Sequence, residues 1–270
     1  MKPYLFMHIP KTAGSSVLEC LPSGRCSVEG FFKNNKNNDD MQKYGYGGPR
    51  HHFTLEQYEK IGFSDVDKLY KFAFVRNPWD RVVSLFHDWK KQNNVKTQRD
   101  QSTVGTVQEH NFSDADFTNF VFQVLAPALD PNVKEYAPVF TDYFRLTAEQ
   151  RLQYEAARKE AIKTVFRKVQ PRKDCPFYYT VANGHYTPQV KYTHNHGGNQ
   201  IVDFIGRFET LQEDYDKLNK LCDWDMKFMT LPYENKSKRV SKNYRSYYED
   251  GIGLAKHIVS EIYREDIETY

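Results

Sequence analysis

No stretch of this chain approaches the roughly 18 consecutive apolar residues that a membrane-crossing helix needs. Met1-Lys2-Pro3-Tyr4 runs into an apolar segment at once, with no room for a signal peptide. The expectation is a soluble cytoplasmic protein without a membrane span, and a Golgi location only if this is a trimmed piece of a longer chain. Charge of one sign is lacking too: 38 Lys and Arg against 35 Asp and Glu leave +3, too little to argue for a nucleic-acid partner. Cys20, Cys26, Cys175 and Cys222 make no Cys-x-x-Cys pair, so no zinc site or redox motif is indicated and free thiols are expected. His185, His194 and His196 have neither helical nor cysteine-paired spacing, and no metal is expected. The phosphate-loop spelling GxxxxGK[ST] is absent, and so are internal repeats and any long interdomain linker. A single domain over residues 1–270 is the expected organisation.

What is present is an ordinary globular composition, 39% hydrophobic and 27% charged, with 15% aromatic residues available for core packing. Three apolar runs read as buried parallel strands: about residues 3–9, Leu69 to Val75, and Ile201 to Gly206. Helical periodicity follows each. Val17, Leu18 and Leu21 share a stripe after the first strand; Val82, Leu85, Phe86 and Trp89 after the second; Leu211, Tyr215, Leu218 and Leu221 after the third. Thr54 with Gln57 reads as a capping box, Asn77 as the cap of a helix whose first residue is Pro78, and Thr210 with Glu213 as a third start signal. Residues 22–49 and 91–113 read as loops, Phe117 to Val124 and Thr147 to Lys168 as helices, and the tail from about Glu249 as one closing helix. Strands alternating with helices predict an α/β fold, a three-layer P-loop-like arrangement with a central, largely parallel sheet flanked by helices. A ligand then belongs at the carboxyl ends of the strands, where Lys11 and Arg76 fall.

The first strand opens directly into Pro10-Lys11-Thr12-Ala13-Gly14-Ser15-Ser16. Unpaired N–H groups at a helix start suit phosphate, and a lysine beside them adds charge. With the lysine ahead of the glycine, this segment resembles the loop with which sulfotransferases hold the 5′-phosphosulfate of 3′-phosphoadenosine-5′-phosphosulfate (PAPS). Phe74-Val75-Arg76-Asn77-Pro78-Trp79-Asp80-Arg81-Val82-Val83-Ser84 is similar to their second motif, in which an arginine at the strand end and a serine two turns into the helix hold the 3′-phosphate. Arg76 and Ser84 occupy those positions, and a guanidinium fork with a hydroxyl is sound phosphate chemistry.

The likeness extends to the membrane-type glycan sulfotransferases of the heparan and chondroitin branch and their bacterial relatives. Arg50-His51-His52-Phe53-Thr54 resembles the segment of their catalytic histidine, and Asp203 to Glu209, Leu231 to Ser237 and Tyr263 to Ile267 resemble their third strand, late loop and closing helix. The resemblance implies sulfuryl transfer from PAPS, leaving 3′,5′-bisphosphoadenosine (PAP), to a hydroxyl of a carbohydrate or small acceptor. No metal is implied. It assigns His52 as general base, with His51 as the alternative base or a substrate contact. Lys11, with the loop from Thr12 through Ala13, Gly14, Ser15 and Ser16, would neutralise the leaving group. Lys236, Ser237, Lys238 and Arg239 form a late basic loop suited to closing on the nucleotide, and His185 and Gln189 are assigned to the acceptor cleft. His8 reads as structural. Two other readings stay open: an ATP-dependent kinase of the P-loop type, and a non-catalytic nucleotide or glycan binder.

Overall fold

The computed structural model describes residues 3–22, 52–60, 66–99, 117–121, 125, 185–224, 230–232, 243–249 and 253–270. In chain order the elements are Tyr4–Met7 (β1), Gly14–Glu19 (α1), Leu55–Lys60 (α2), Tyr70–Val75 (β2), Pro78–Arg99 (α3), Phe117–Phe120 (α4), Val190–Thr193 (α5), Phe204–Arg207 (β3), Leu211–Leu221 (α6), Leu254–Ile262 (α7) and Arg264–Thr269 (α8). Short 3-10 helices occupy Val66–Lys68, Phe208–Thr210 and Tyr244–Tyr248. The chain divides into two compact units, one made of Met1–Leu85, Tyr179–Lys238 and Tyr263–Tyr270, the other of Phe86–Tyr178 and Arg239–Ile262.

The first unit holds a three-stranded sheet in the order β1-β2-β3. Both pairings are parallel, with Met7 opposite Ala73 and Val75 opposite Arg207. Side chains alternate across the sheet, and both sets are apolar because both faces are covered. On one face Tyr4, Phe6, Phe72 and Phe74 pack with Val17 of α1 and with Tyr215, Leu218, Cys222 and Trp224 of α6 and its end. On the other, Leu5, Met7, Ala73 and Val75 pack with Phe53, Tyr58, Tyr192 and Val202. Each fully buried aromatic or aliphatic side chain contributes about 1.5–3 kcal/mol. Polar ties then fix the layers: the Tyr215 hydroxyl donates to the Cys20 carbonyl at 2.8 Å and the Tyr4 hydroxyl to that of Pro22 at 3.0 Å. Cys20 and Cys222 are buried in this core, neither of them in a disulfide. Cys26 and Cys175 lie outside the described residues.

The second unit packs around Phe86, whose ring meets Trp89, Phe117, Phe120 and Tyr247 at centroid distances of 5.5–6.4 Å. His87, itself buried, is 2.8 Å from the Tyr247 hydroxyl. Among the described residues no helix is long and apolar enough to cross a membrane.

The three strands and the two earlier helix starts stand where the sequence puts them. The Thr54 N–H donates to the Gln57 side chain at 2.8 Å and the Gln57 N–H to the Thr54 hydroxyl at 3.4 Å, the reciprocal capping box. Asn77 Oδ1 accepts the N–H groups of Trp79 and Asp80 at 3.1 and 3.3 Å. Three expectations are corrected. Residues 91–99 continue α3 instead of forming a loop, since they contain no glycine or proline and several good helix formers. The closing helix is broken at Tyr263, whose buried ring and 2.7 Å bond to the Tyr186 carbonyl outweigh local helix propensity. Thr210 forms no box with Glu213; its hydroxyl donates to Asp214 at 2.8 Å. The expected helix over 147–168 lies outside the described residues.

Asp214 joins β3 to α6, accepting also the Arg207 N–H at 2.9 Å and the Lys217 ammonium at 2.7 Å. Burial raises its pKa, but the bonds from Lys217, Arg207 and Thr210 together outweigh burial and hold it below the ordinary carboxylate value. A carboxylate depressed in the folded state adds stability that is present above its unfolded pKa and lost as pH falls through the folded one. Asp214→Asn is therefore expected to lower the urea midpoint at neutral pH and to converge with the wild type as acid protonates Asp214. A gap that stays constant into acid would contradict this assignment.

Candidate functional site

The candidate site lies at the carboxyl edge of the sheet, where β1 and β2, running parallel as neighbours, release their chains side by side. Beyond β1, Lys11 and Ala13 both take positive φ, 69° each, a conformation that costs an L-residue roughly 1–2 kcal/mol and marks a held loop. The buried Thr12 between them donates its hydroxyl proton to the Ile9 carbonyl at 2.9 Å. Thr12 therefore shapes the turn. Lys11 is half-buried, Ser15 exposed and Ser16 buried. Gly14 opens α1 because nothing larger fits: a Cβ there would lie 1.8 Å from Nε2 of His8.

Beyond β2, Arg76 is held on every side. Its Nε and Nη2 donate to Asp80 Oδ2 at 2.8 and 2.6 Å, its guanidinium lies 4.0 Å above the Phe208 ring, and its Nη1 donates to the Lys11 carbonyl at 3.2 Å. The two motifs meet directly at that last contact. Ser84, one helical turn past Asp80 on the same face of α3, is 3% exposed and so is not a solvated surface serine. The Asn77 N–H donates to Glu209 at 2.7 Å, tying the start of α3 to the end of β3.

His52 stands beside β1. Its Nδ1 is 2.9 Å from the His8 carbonyl, and a carbonyl only accepts, so Nδ1 carries the proton and the neutral ring has its lone pair on Nε2. The His8 and His185 rings flank it at centroid distances of 4.5 and 5.0 Å, and the Tyr192 hydroxyl donates to the His52 carbonyl at 3.2 Å. His185, assigned by resemblance to the acceptor cleft, thus stands against His52. Gln189 does not line a cleft: it is fully buried, accepting the Arg76 N–H and donating to the Arg76 carbonyl, both at 2.8 Å. It holds the arginine's backbone instead, its amide satisfying both the N–H and the carbonyl of Arg76 at the strand end. Gln189 is in turn held by Asp266 of α8, which has no exposed surface and accepts the N–H groups of Gln189 and Val190 at 2.8 and 2.9 Å. Burial pushes the Asp266 carboxyl up, against the opposing pull of Arg81 and these bonds. His51 and the loop of Lys236, Ser237, Lys238 and Arg239 lie outside the described residues.

Sequence reasoning alone assigns no site role to His8, Asp80, Phe208, Arg81 or Asp266. Strand alternation is the signal that could have found His8, since it puts His8 on the same face as Phe6, against the start of α1, and its ring stacks on Phe6 at 5.2 Å. Chemically, an ammonium and a guanidinium on adjoining loops suit a ligand with two anionic groups, and an imidazole with a defined lone pair nearby suits proton removal.

No curated protein and no solved structure matches the chain. A family model described as Sulfotransferase family matches residues 2–270, which sets the kinase reading aside. Both loops and the histidines between them lie within that match, and the chain belongs to the sulfotransferase family, enzymes of sulfuryl transfer.

Proposed function

We propose that this sulfotransferase takes its sulfuryl group from PAPS and passes it to a hydroxyl of a carbohydrate, by in-line displacement with His52 as the general base. Residues 1–270 act as one domain with the three-layer sulfotransferase fold. The observation that carries this reading is the 3.2 Å contact from the Arg76 guanidinium to the Lys11 carbonyl, which suits two phosphate groups of one nucleotide. PAPS supplies an activated sulfuryl group whose leaving group is a phosphate.

Arg76 and Ser84 hold the 3′-phosphate, the guanidinium chiefly through its charge and the hydroxyl through one directional bond. Lys11 and the backbone of Thr12 to Ser16 stabilise negative charge as it gathers on the 5′-phosphate oxygen that is released, so no metal is required. The acceptor hydroxyl gives its proton to Nε2 of His52 as its oxygen bonds to sulfur. The His8 carbonyl favours that transfer twice over, by fixing the tautomer and by stabilising the imidazolium through the Nδ1 hydrogen. His185, with its ring against His52, contacts the acceptor, and the loop from Lys236 to Arg239 adds cations over the nucleotide. His51 is the second candidate for the base.

Transfer of labelled sulfate from PAPS to a panel of hydroxylated saccharides is expected. Lys11→Ala should lower kcat by about 10²–10³-fold, the scale of losing one group aimed at developing charge. His52→Ala should lower it by about 10²–10⁴-fold while the KM for PAPS changes little. Unchanged turnover in both variants would refute the mechanism. A second check needs no acceptor: saturating PAP is expected to raise the melting temperature by about 5 °C or more, and ATP to raise it much less. An equal or larger shift with ATP would count against PAPS as the donor.

A further inference from the structure

We propose that Arg81 is a positioning residue of the transfer site, one whose buried fork sets the Lys11 loop against the segment that carries His185. The inference rests on the reading that the Lys11 loop receives the 5′-phosphosulfate.

Arg81 lies one turn beyond Asn77 on α3 and is 1% exposed. Its Nε donates to the Pro10 carbonyl at 3.0 Å, and Nη2 donates to the carbonyls of His185 and Thr187 at 3.1 and 2.9 Å. These three acceptors belong to two segments distant in sequence. One immediately precedes Lys11, which is locked at positive φ, and the other contains His185, whose ring abuts His52. Burying a guanidinium is costly unless its surroundings compensate, so an apolar residue would serve a purely space-filling role at lower cost. Part of that cost is met here: Tyr263 places its ring 5.8 Å from the guanidinium, and Asp266, buried in the same region, is the carboxylate that Arg81 favours in its charged form, while Nη1 is buried without a hydrogen-bond partner among the described residues. Only a rigid planar fork reaches carbonyls on both segments at once.

The Arg76 guanidinium is held directly by Asp80 and Phe208. Loss of Arg81 should therefore be felt at the 5′ end of the nucleotide and little at the 3′ end. A general loss of packing would affect both ends alike.

The experiment is calorimetric titration of the full chain and of its Arg81→Lys and Arg81→Met variants with PAP and with adenosine 3′-monophosphate. PAP affinity is expected to fall about tenfold or more in Arg81→Met, the scale of displacing a binding loop by a fraction of an ångström to an ångström. The monophosphate should change by no more than about twofold, since each tenfold step needs about 1.4 kcal/mol. Arg81→Lys should fall between, because an ammonium keeps the charge and loses the fork, and it carries the test if Arg81→Met does not fold. Equal losses for both ligands, or no loss for either, overturn the positioning role. A wild-type chain that binds neither nucleotide overturns the donor reading itself and the role of Arg81 with it, an outcome recognisable before any variant is compared.

Discussion

Two parallel strands paired as neighbours must deliver their chains to the same edge of the sheet, and everything at this site depends on that constraint. With Met7 opposite Ala73, the chain leaving β1 and the chain leaving β2 emerge at the same level, and Lys11 and Arg76 become neighbours although 65 residues separate them. Antiparallel pairing, or a slip of register, would carry one of these groups away from the other. The apolar side chains on both faces set the register, because a shift by one residue would exchange the two buried sets. Core packing thus decides where the two cations stand.

Packing alone leaves the strand ends loose, since the backbone beyond the last paired residue has no ladder to join. Buried polar side chains take up that backbone. Gln189 completes Arg76 in both directions, Asp266 holds Gln189, Glu209 takes the Asn77 N–H, and Arg81 gathers carbonyls from two segments. Such groups are costly to bury and costlier to leave half-paired, by about 1–3 kcal/mol for each orphaned neutral group. Connected in this way they make the loop geometry stiff. The His8 carbonyl belongs to the same logic, because a backbone group on a rigid strand gives His52 its proton placement and leaves little room for the other tautomer.

Features governed by neighbours in sequence were legible before any coordinates. The strands show as apolar runs, Thr54 with Gln57 as a capping box, and Asn77-Pro78 as a helix start, each a matter of a few adjacent residues. The pairing of Lys11 with Arg76 was legible through resemblance and through the rule that α/β ligands sit at strand ends. The fate of Gln189 was not, because its partner is the backbone of Arg76, at a sequence separation of 113. The same holds for Thr210, whose hydroxyl turns to Asp214, and for Tyr263, whose contact with Tyr186 interrupts a periodic apolar stripe. His8 reads as a structural strand residue, and only its fit against Gly14 and its carbonyl on His52 reveal that one residue touches both the Lys11 loop and His52.

The central claim is that one doubly phosphorylated adenosine spans the adjoining ends of β1 and β2. A crystal structure of the PAP complex tests it most directly. The account predicts the 5′-phosphate against the backbone from Lys11 to Ser16 and the 3′-phosphate between the Arg76 guanidinium and the Ser84 hydroxyl. PAP seated elsewhere, or bound with both phosphates away from Arg76, would contradict it.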